Sequence, residues 1–528
     1  MQKKIQLRLK PEQASDPESI KQLLAGSLAL KTEQITGFHI LKKSLDARGK
    51  SVYFNLSLLA FINEPLLPLE RTIIHFQDVL HASKKVIIIG AGPAGLFCAL
   101  KLIESGIKPI IIERGKDVRS RRRDLAQLNK TGIINEESNY CYGEGGAGTY
   151  SDGKLYTRSN KRGDINRIIN LFIQFGAPES IGIDAHPHIG TNKLPGIITA
   201  MREQIIKCGG EVHFEQKMVD FIIENNELKG IKTQNESIFH ADDVILATGH
   251  SARDVFELLY KKNILIESKP FALGVRIEHP QCLIDSIQYH SRSDLPRSLD
   301  LPPASYSLVE QVKGKGVFSF CMCPGGIIAP ASTQKNELVV NGWSPSKRNN
   351  PFANSGMVVS VEQKDAMDYL KDSSFNIDHP LLLMEFQKQI EMKAFQAGGG
   401  NFQAPALRMT DFCNNTLSSS LPENSYIPGL NSADLRTVLP AFIYQHLSDG
   451  FKAFGKKMKG YYSQDAVVVA TESRTSSPVK IPRDSESLHH PQFKNLYPCG
   501  EGAGFAGGIV SAAMDGERIA DVIVAKYA

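Results

Sequence analysis

The run Val86-Ile-Ile-Ile-Gly90-Ala-Gly92-Pro93-Ala94-Gly95 constrains the fold more than any other stretch of the chain. Four apolar residues suited to a buried strand lead straight into GxGxxG and then an apolar helix, the first strand-turn-helix of a dinucleotide-binding unit. Gly90 permits the tight turn, Gly92 lets backbone approach a pyrophosphate, and Gly95 lets helix and strand pack closely. The helix N-terminus then faces the phosphates. Glu113 closes the next strand about 18 residues beyond the last glycine, near the spacing of a ribose-binding acid, and Arg114 follows it. The competing reading, a chance glycine turn plus a surface glutamate, must produce strand, helix and acid together.

This fingerprint alone does not separate NAD from FAD, since both carry the same adenosine diphosphate half. Two later segments bear on the choice. Val244-Ile-Leu-Ala247-Thr248-Gly249 is a second apolar strand ending in a small-residue turn, and Leu496–Ala513 is a glycine-rich strand-to-helix turn containing Gly500-Glu501 and Gly507-Gly508-Ile509. In that order, the three segments resemble the glutathione-reductase-like flavoproteins with two dinucleotide folds. The resemblance implies non-covalent FAD. It puts Gly500 and Glu501 where that class has Gly-Asp holding ribityl and pyrophosphate oxygens, and Gly507, Gly508 and Ile509 beside the flavin ring; Glu for Asp is a departure. It also implies that the loop Gly145-Gly146-Ala147-Gly148-Thr149-Tyr-Ser151 runs under the isoalloxazine, with Lys154 placed to stabilise negative charge there or to be a plain surface lysine. The stretches FSFCMCPGG (318–326), GGGNFQAPA (398–406), ESRTSSPV (472–479) and YPCGEGAGFAGGIVSAAMDG (497–516) are similar to the uncharacterised bacterial FAD-dependent dehydrogenases with an added N-terminal domain. That family supplies fold and cofactor but no substrate.

A chain of 528 residues exceeds what one core usually holds, so several units are expected. Residues 1–80 read as a small α+β domain whose strands Phe38–Leu45 and Val52–Phe61 flank a glycine-containing turn. Residues 81–270 alternate strands and helices and, with 486–528, read as one discontinuous α/β Rossmann-type FAD-binding domain with a largely parallel sheet. Residues 271–485, with short strands and helices near Val361–Leu370 and Pro380–Ala397, read as an inserted α+β substrate or cap domain. Gly398 is expected to cap the second helix in a left-handed conformation.

A formal charge of +5, from 61 basic and 56 acidic residues, gives no argument for nucleic acid. Eight cysteines without repeated spacing or a CxxC pair suit reduced thiols in a cytoplasmic protein, and no metal site is expected. The most apolar stretch, Val86–Ile103, is broken by three glycines and Lys101 and does not suit a membrane span.

The candidate substrate-side groups are Lys154, His250, Arg253, Cys321, Cys323, Arg436 and Arg474. The arginines suit an anionic small-molecule substrate or structural ion pairs. His250 suits a hydrogen bond to the flavin, a proton transfer or a structural role. Cys321 and Cys323 fall on one face of a strand with Cβ atoms about 6.5 Å apart, so a redox pair needs a local bend and buried packing is the simpler reading. No second strand-GxGxxG-helix unit follows residue 113, so NAD(P)H is expected at most as a transient donor. The leading expectation is an FAD-dependent oxidoreductase passing hydride through flavin N5. The alternatives are an RNA-modifying or RNA-associated flavoprotein anchored by Lys42, Lys43, Arg48 and Lys50, and a non-catalytic FAD sensor.

Overall fold

The computed structural model describes residues 1–157, 163–225, 227–292, 295–371 and 374–528. Strands Asp243–Leu246, Lys85–Ile89, Lys108–Ile112 and Glu211–His213 are joined at one edge by Leu496–Pro498 into a five-stranded parallel sheet. Its central strands are buried on both faces, as an all-parallel sheet requires. Helices Pro93–Glu104 and Ile509–Tyr527 pack side by side on one face. Gly516 makes that contact close: a Cβ there would lie 2.1 Å from the carbonyl oxygen of Ala94.

Not all of this region is parallel. Met218–Glu224, Glu227–Thr233 and Ile238–His240 form a separate antiparallel sheet. Their connections are a few residues long, too short for the crossover that parallel pairing demands.

The chain leaves the parallel unit through Glu267–Ser268 and returns through Val479–Lys480, two short strands that pair with each other. Between them lies a seven-stranded mixed sheet in the order Val309–Val312, Lys315–Cys323, Phe352–Val361, Phe271–Pro280, Val467–Glu472, Ala404–Arg408, Leu430–Ser432. Two of these strands run ten residues, longer than the short strands expected. Buried polar residues such as Arg276, Glu278, Asn354 and Ser355 interrupt their apolar pattern and hide them in sequence. Helices Gln363–Tyr369 and Leu382–Ala397 accompany the sheet, together with the seventeen-residue Ala441–Lys457, which carries no sequence expectation. Glycine lowers helix propensity, but Gly450 lets this helix approach Val317, where a Cβ would lie 2.8 Å from a methyl group. Gly398 is right-handed, with Gly399 and Gly400 carrying the positive φ; glycine serves Gly398 for close approach instead, since a Cβ there would meet the carbonyl oxygen of Gln403 at 1.9 Å.

The N-terminal unit is a three-stranded antiparallel sheet, Gln2–Leu9, Tyr53–Ile62 and Ile35–Asp46, covered by Pro17–Leu28, whose N-terminus Asp16 caps. Of its basic hairpin only Lys43 is drawn onto the molecule, while Lys42, Arg48 and Lys50 stay exposed. Lys43 exchanges backbone hydrogen bonds with Ile183 and Ala185 and lays its ammonium over Phe54, while Arg48 pairs with Asp46.

Candidate functional site

One cavity of about 340 Å³, within the range of small-molecule and cofactor sites, runs along the C-terminal ends of the parallel strands and under the inserted sheet. Two helix N-termini open into it. Gly92, Pro93 and Ala94 stand at one, Gly508, Ile509 and Ala512 at the other, and no side chain caps Gly92. Exposed N–H groups and the positive helix ends suit an anion between them.

The glycines divide by task. Gly90 has φ +109°, and a Cβ would lie 2.3 Å from the Ala247 carbonyl oxygen, so it fixes the approach of two strands. At Gly92 nothing lies closer than 3.9 Å, so the space left by its missing side chain belongs to the cavity. Gly95 is a packing residue whose Cβ would lie 2.0 Å from the Gly90 carbonyl oxygen, and it stands outside the cavity wall.

Glu113 lines the cavity and ties its loops together. Its carboxylate accepts the N–H groups of Ala91 (2.9 Å), Gly115 (2.8 Å) and Gly143 (2.9 Å). A carboxylate offers about four acceptor positions, so capacity remains for a ribose hydroxyl. Arg114 also lines the wall, stacked over Tyr142 at 4.1 Å and paired with Glu137 and Asp254.

Gly146, Ala147, Gly148, Ser151 and Lys154 line the cavity, as do Ala247, Thr248, Gly249, Gly500, Glu501 and Gly507. Gly145 and Thr149, expected in the same loop, face away: Gly145 donates its N–H to Ala91 O, and the Thr149 hydroxyl bonds to Glu144 O. They shape the loop from behind. Asp515 sets the C-terminal turn by accepting Gly500 N–H at 2.8 Å while both its oxygens hold Arg483. Burial pushes the Glu501 carboxyl up to about 8, against the pull of Lys269.

The far wall comes from the inserted sheet: Phe320, Cys321, Cys323, Asn341, Gly342, Arg474 and Thr475. His250 joins them, its Nδ1 at 2.7 Å from Ser251 Oγ; burial, aided by the Arg474 charge, pushes its imidazole down to about 4. It is therefore neutral at physiological pH. Lys154 donates to Met322 O and lies 4.0 Å from Asp152, which holds Arg348 with both oxygens.

The arginines separate. Arg474 reaches the wall, but Glu391 holds it through both oxygens (3.1 and 2.9 Å), with Glu337 at 3.2 Å and Thr333 at 2.7 Å. Arg253 does not line the cavity; its guanidinium turns into the same cluster, onto Glu337, Glu391 and Gln387. Two guanidinium groups thus face two carboxylates. Burial raises Glu391, but the two arginines outweigh it and hold its carboxyl low, whereas burial prevails at Glu337 and leaves it raised. Arg436 is excluded from the site: it lies half-exposed on a surface loop, paired with Asp434 at 2.7 Å. A guanidinium next to an aspartate two residues away needs no ligand to satisfy it.

Cys321 departs from regular strand geometry. Its φ is +44°, and three steps from Phe320 to Cys323 oppose two on the partner strand, a one-residue bulge. A non-glycine residue so placed costs about 1–3 kcal/mol. Beneath it, fully buried Arg276 donates to Cys321 O (2.7 Å), Cys323 Sγ (3.3 Å) and Glu472 (2.9 Å). Glu337, Glu391 and Asn341 carry no local sequence signal; Asp152 lies in the glycine-rich loop before Lys154 and Thr475 adjoins Arg474, so both were within reach of those motifs.

Residues 84–258 match the model of the pyridine nucleotide-disulphide oxidoreductases, residues 270–475 that of an FAD-dependent protein C-terminal domain, and residues 1–61 a domain of unknown function. An uncharacterized protein of Clostridium beijerinckii is 38% identical over 532 residues, covering 97% of each chain. The chain belongs to this family of FAD-dependent proteins.

FAD is accordingly its cofactor, and the family places the chain among the FAD-dependent oxidoreductases. The cavity fits such a group on its own terms: Gly92 leaves open space at an uncapped helix N-terminus, and Thr248 Oγ1 is buried in the wall without a protein partner. Among solved structures, glycine oxidase from Bacillus cereus is 13% identical (84% of this chain, 96% of that one, TM-score 0.31). L-proline dehydrogenase from P. horikoshii is 12% identical (83% and 93%, TM-score 0.33). Among the described residues, no helix of this flavoprotein is long and apolar enough to cross a membrane.

Proposed function

We propose that the protein is a dehydrogenase or reductase in which a small-molecule donor passes hydride to flavin N5 and a second molecule takes it away. The observation that carries this reading is the continuity of the cavity. One end is built from phosphate-binding turns, and the other is walled by Phe320, Cys321, Asn341, His250 and Arg474, so a substrate and the flavin ring can share one enclosed space.

The flavin supplies the two-electron chemistry, and the chain supplies the rest. The N-termini at Gly92 and Gly508 would hold the diphosphate, Glu113 the adenosine ribose, and the small residues Gly146, Ala147 and Gly148 would admit the ring. Neutral His250 exchanges hydrogen bonds at pH 7 but does not act as a cationic acid, because its imidazole titrates near 4. Lys154 is a cation on the wall with donors to spare: one is engaged by Met322 O, and a lysine has three. Arg474 is neutralised by its carboxylates, so its work is orientation of a hydrogen-bonding surface more than attraction of an anion.

The RNA-associated reading gains no support from the matched families, those of FAD-dependent proteins and pyridine nucleotide-disulphide oxidoreductases. The test is anaerobic addition of NADH or NADPH to the purified yellow protein. Bleaching makes nicotinamide the donor. Bound flavin that stays oxidised with nicotinamides and with a broad panel of metabolites overturns the dehydrogenase reading in favour of a sensor.

A further inference from the structure

We infer that Cys321 and Cys323 form a redox dithiol–disulfide couple, a second two-electron centre that exchanges reducing equivalents with the flavin. This rests on the flavin occupying the cavity as proposed above.

The geometry is specific. In a regular strand the two Cβ atoms would stand about 6.5 Å apart, outside bridging range. Here the strand is not regular: a one-residue bulge falls between Phe320 and Cys323 and Cys321 takes a left-handed conformation, so the extended-strand spacing does not hold for this pair. The strain falls in the cavity wall, on a residue type able to use it. Both cysteines line the cavity, and Cys323 Sγ lies 3.2 Å from Cys321 O. Cys321 opens into the cavity space while Cys323 is buried behind it. One guanidinium, Arg276, contacts both the Cys321 carbonyl and the Cys323 sulfur, so a cation stands ready beside the sulfur that would carry negative charge during exchange. The pair sits on the inserted sheet, outside the dinucleotide fold altogether.

The step balances as follows. With the couple oxidised, the Sγ–Sγ bond breaks and two S–H bonds form. The electron pair and one proton come from the two-electron-reduced flavin, which returns to its oxidised form, and the second proton comes from solvent. Burial pushes the Cys321 thiol up to about 12 and raises Cys323 as well. The resting pair is therefore protonated, with Cys321 the sulfur accessible from the cavity.

The experiment is an anaerobic dithionite titration of holoprotein first oxidised with diamide and freed of reagent. Wild type is expected to take up four electrons per flavin, and Cys321→Ser and Cys323→Ser two each. Cys141→Ser, which removes another thiol lining the cavity, is expected to keep four. In parallel, alkylation after denaturation and peptide mass mapping should find the 321–323 peptide unalkylated and 2 Da light before reduction. A two-electron uptake by wild type, with both cysteines alkylated in the diamide-treated sample, overturns the inference. Should Cys323→Ser fail to fold, Cys321→Ser and the mass map decide alone. Dithionite reduces flavin whatever the natural donor, so failure of nicotinamide to bleach the protein would leave this count intact.

Discussion

The two ends of the cavity are built on opposite principles. At the dinucleotide end the site is made by leaving side chains out: Gly90 and Gly95 admit close backbone approach, and Gly92 leaves open space at a helix N-terminus. At the inserted-sheet end it is made by side chains pinned against one another, with Arg253, Arg474, Glu337 and Glu391 in one buried cluster. The first kind of site is rigid because the chain has no room to do otherwise. The second depends on a charge balance that one substitution upsets.

The contrast can be broken at several points. Gly90→Ala should abolish folded holoprotein, since its Cβ lands 2.3 Å from a backbone oxygen at a positive φ; soluble yield and the ratio of flavin to protein read this directly. Glu391→Ala leaves two buried guanidinium groups to share the single carboxylate of Glu337 and should cost about 3 kcal/mol in denaturant unfolding. Bound flavin in the folded fraction should change little if the two ends are as independent as their construction suggests.

A third test uses pH. Burial holds His250 and His279 at about 4, below the unfolded value of about 6.5, so both fold uncharged. Their stabilisation is complete above about pH 6.5 and is lost as pH falls toward 4, by up to about 3 kcal/mol each. His279→Gln should make that acid limb of the melting curve shallower. Gly92→Val sharpens the comparison: with no atom within 3.9 Å of its Cβ it should fold normally yet bind FAD at least a hundredfold more weakly, about 2.7 kcal/mol. Arg436→Ala should change stability by under about 0.5 kcal/mol and leave flavin reduction untouched.

The same contrast explains what sequence could tell. Gly90 to Gly95 and Glu113 announce their task within one local stretch, because strand, turn and helix are contiguous. Thr248 and Gly500 became interpretable through their resemblance to the same class of turn. Arg474 looked like Arg436 in sequence, and only the fold separates them: one meets Glu391 across 83 positions, the other an aspartate two residues away. Long strands were hidden for a related reason, since Arg276 and Asn354 break the apolar rhythm in order to satisfy each other at 2.9 Å in the core.

The edge strand Leu496–Pro498 and helix Ile509–Tyr527 complete the sheet and cavity wall begun at residue 85. During synthesis, therefore, some 400 residues emerge before the flavin's berth has its second wall. The nascent chain must hold a half-built nucleotide fold until then, and cofactor capture waits for helix Ile509–Tyr527 to emerge. Loss of helix Ile509–Tyr527 should leave a protein that is made but never yellow.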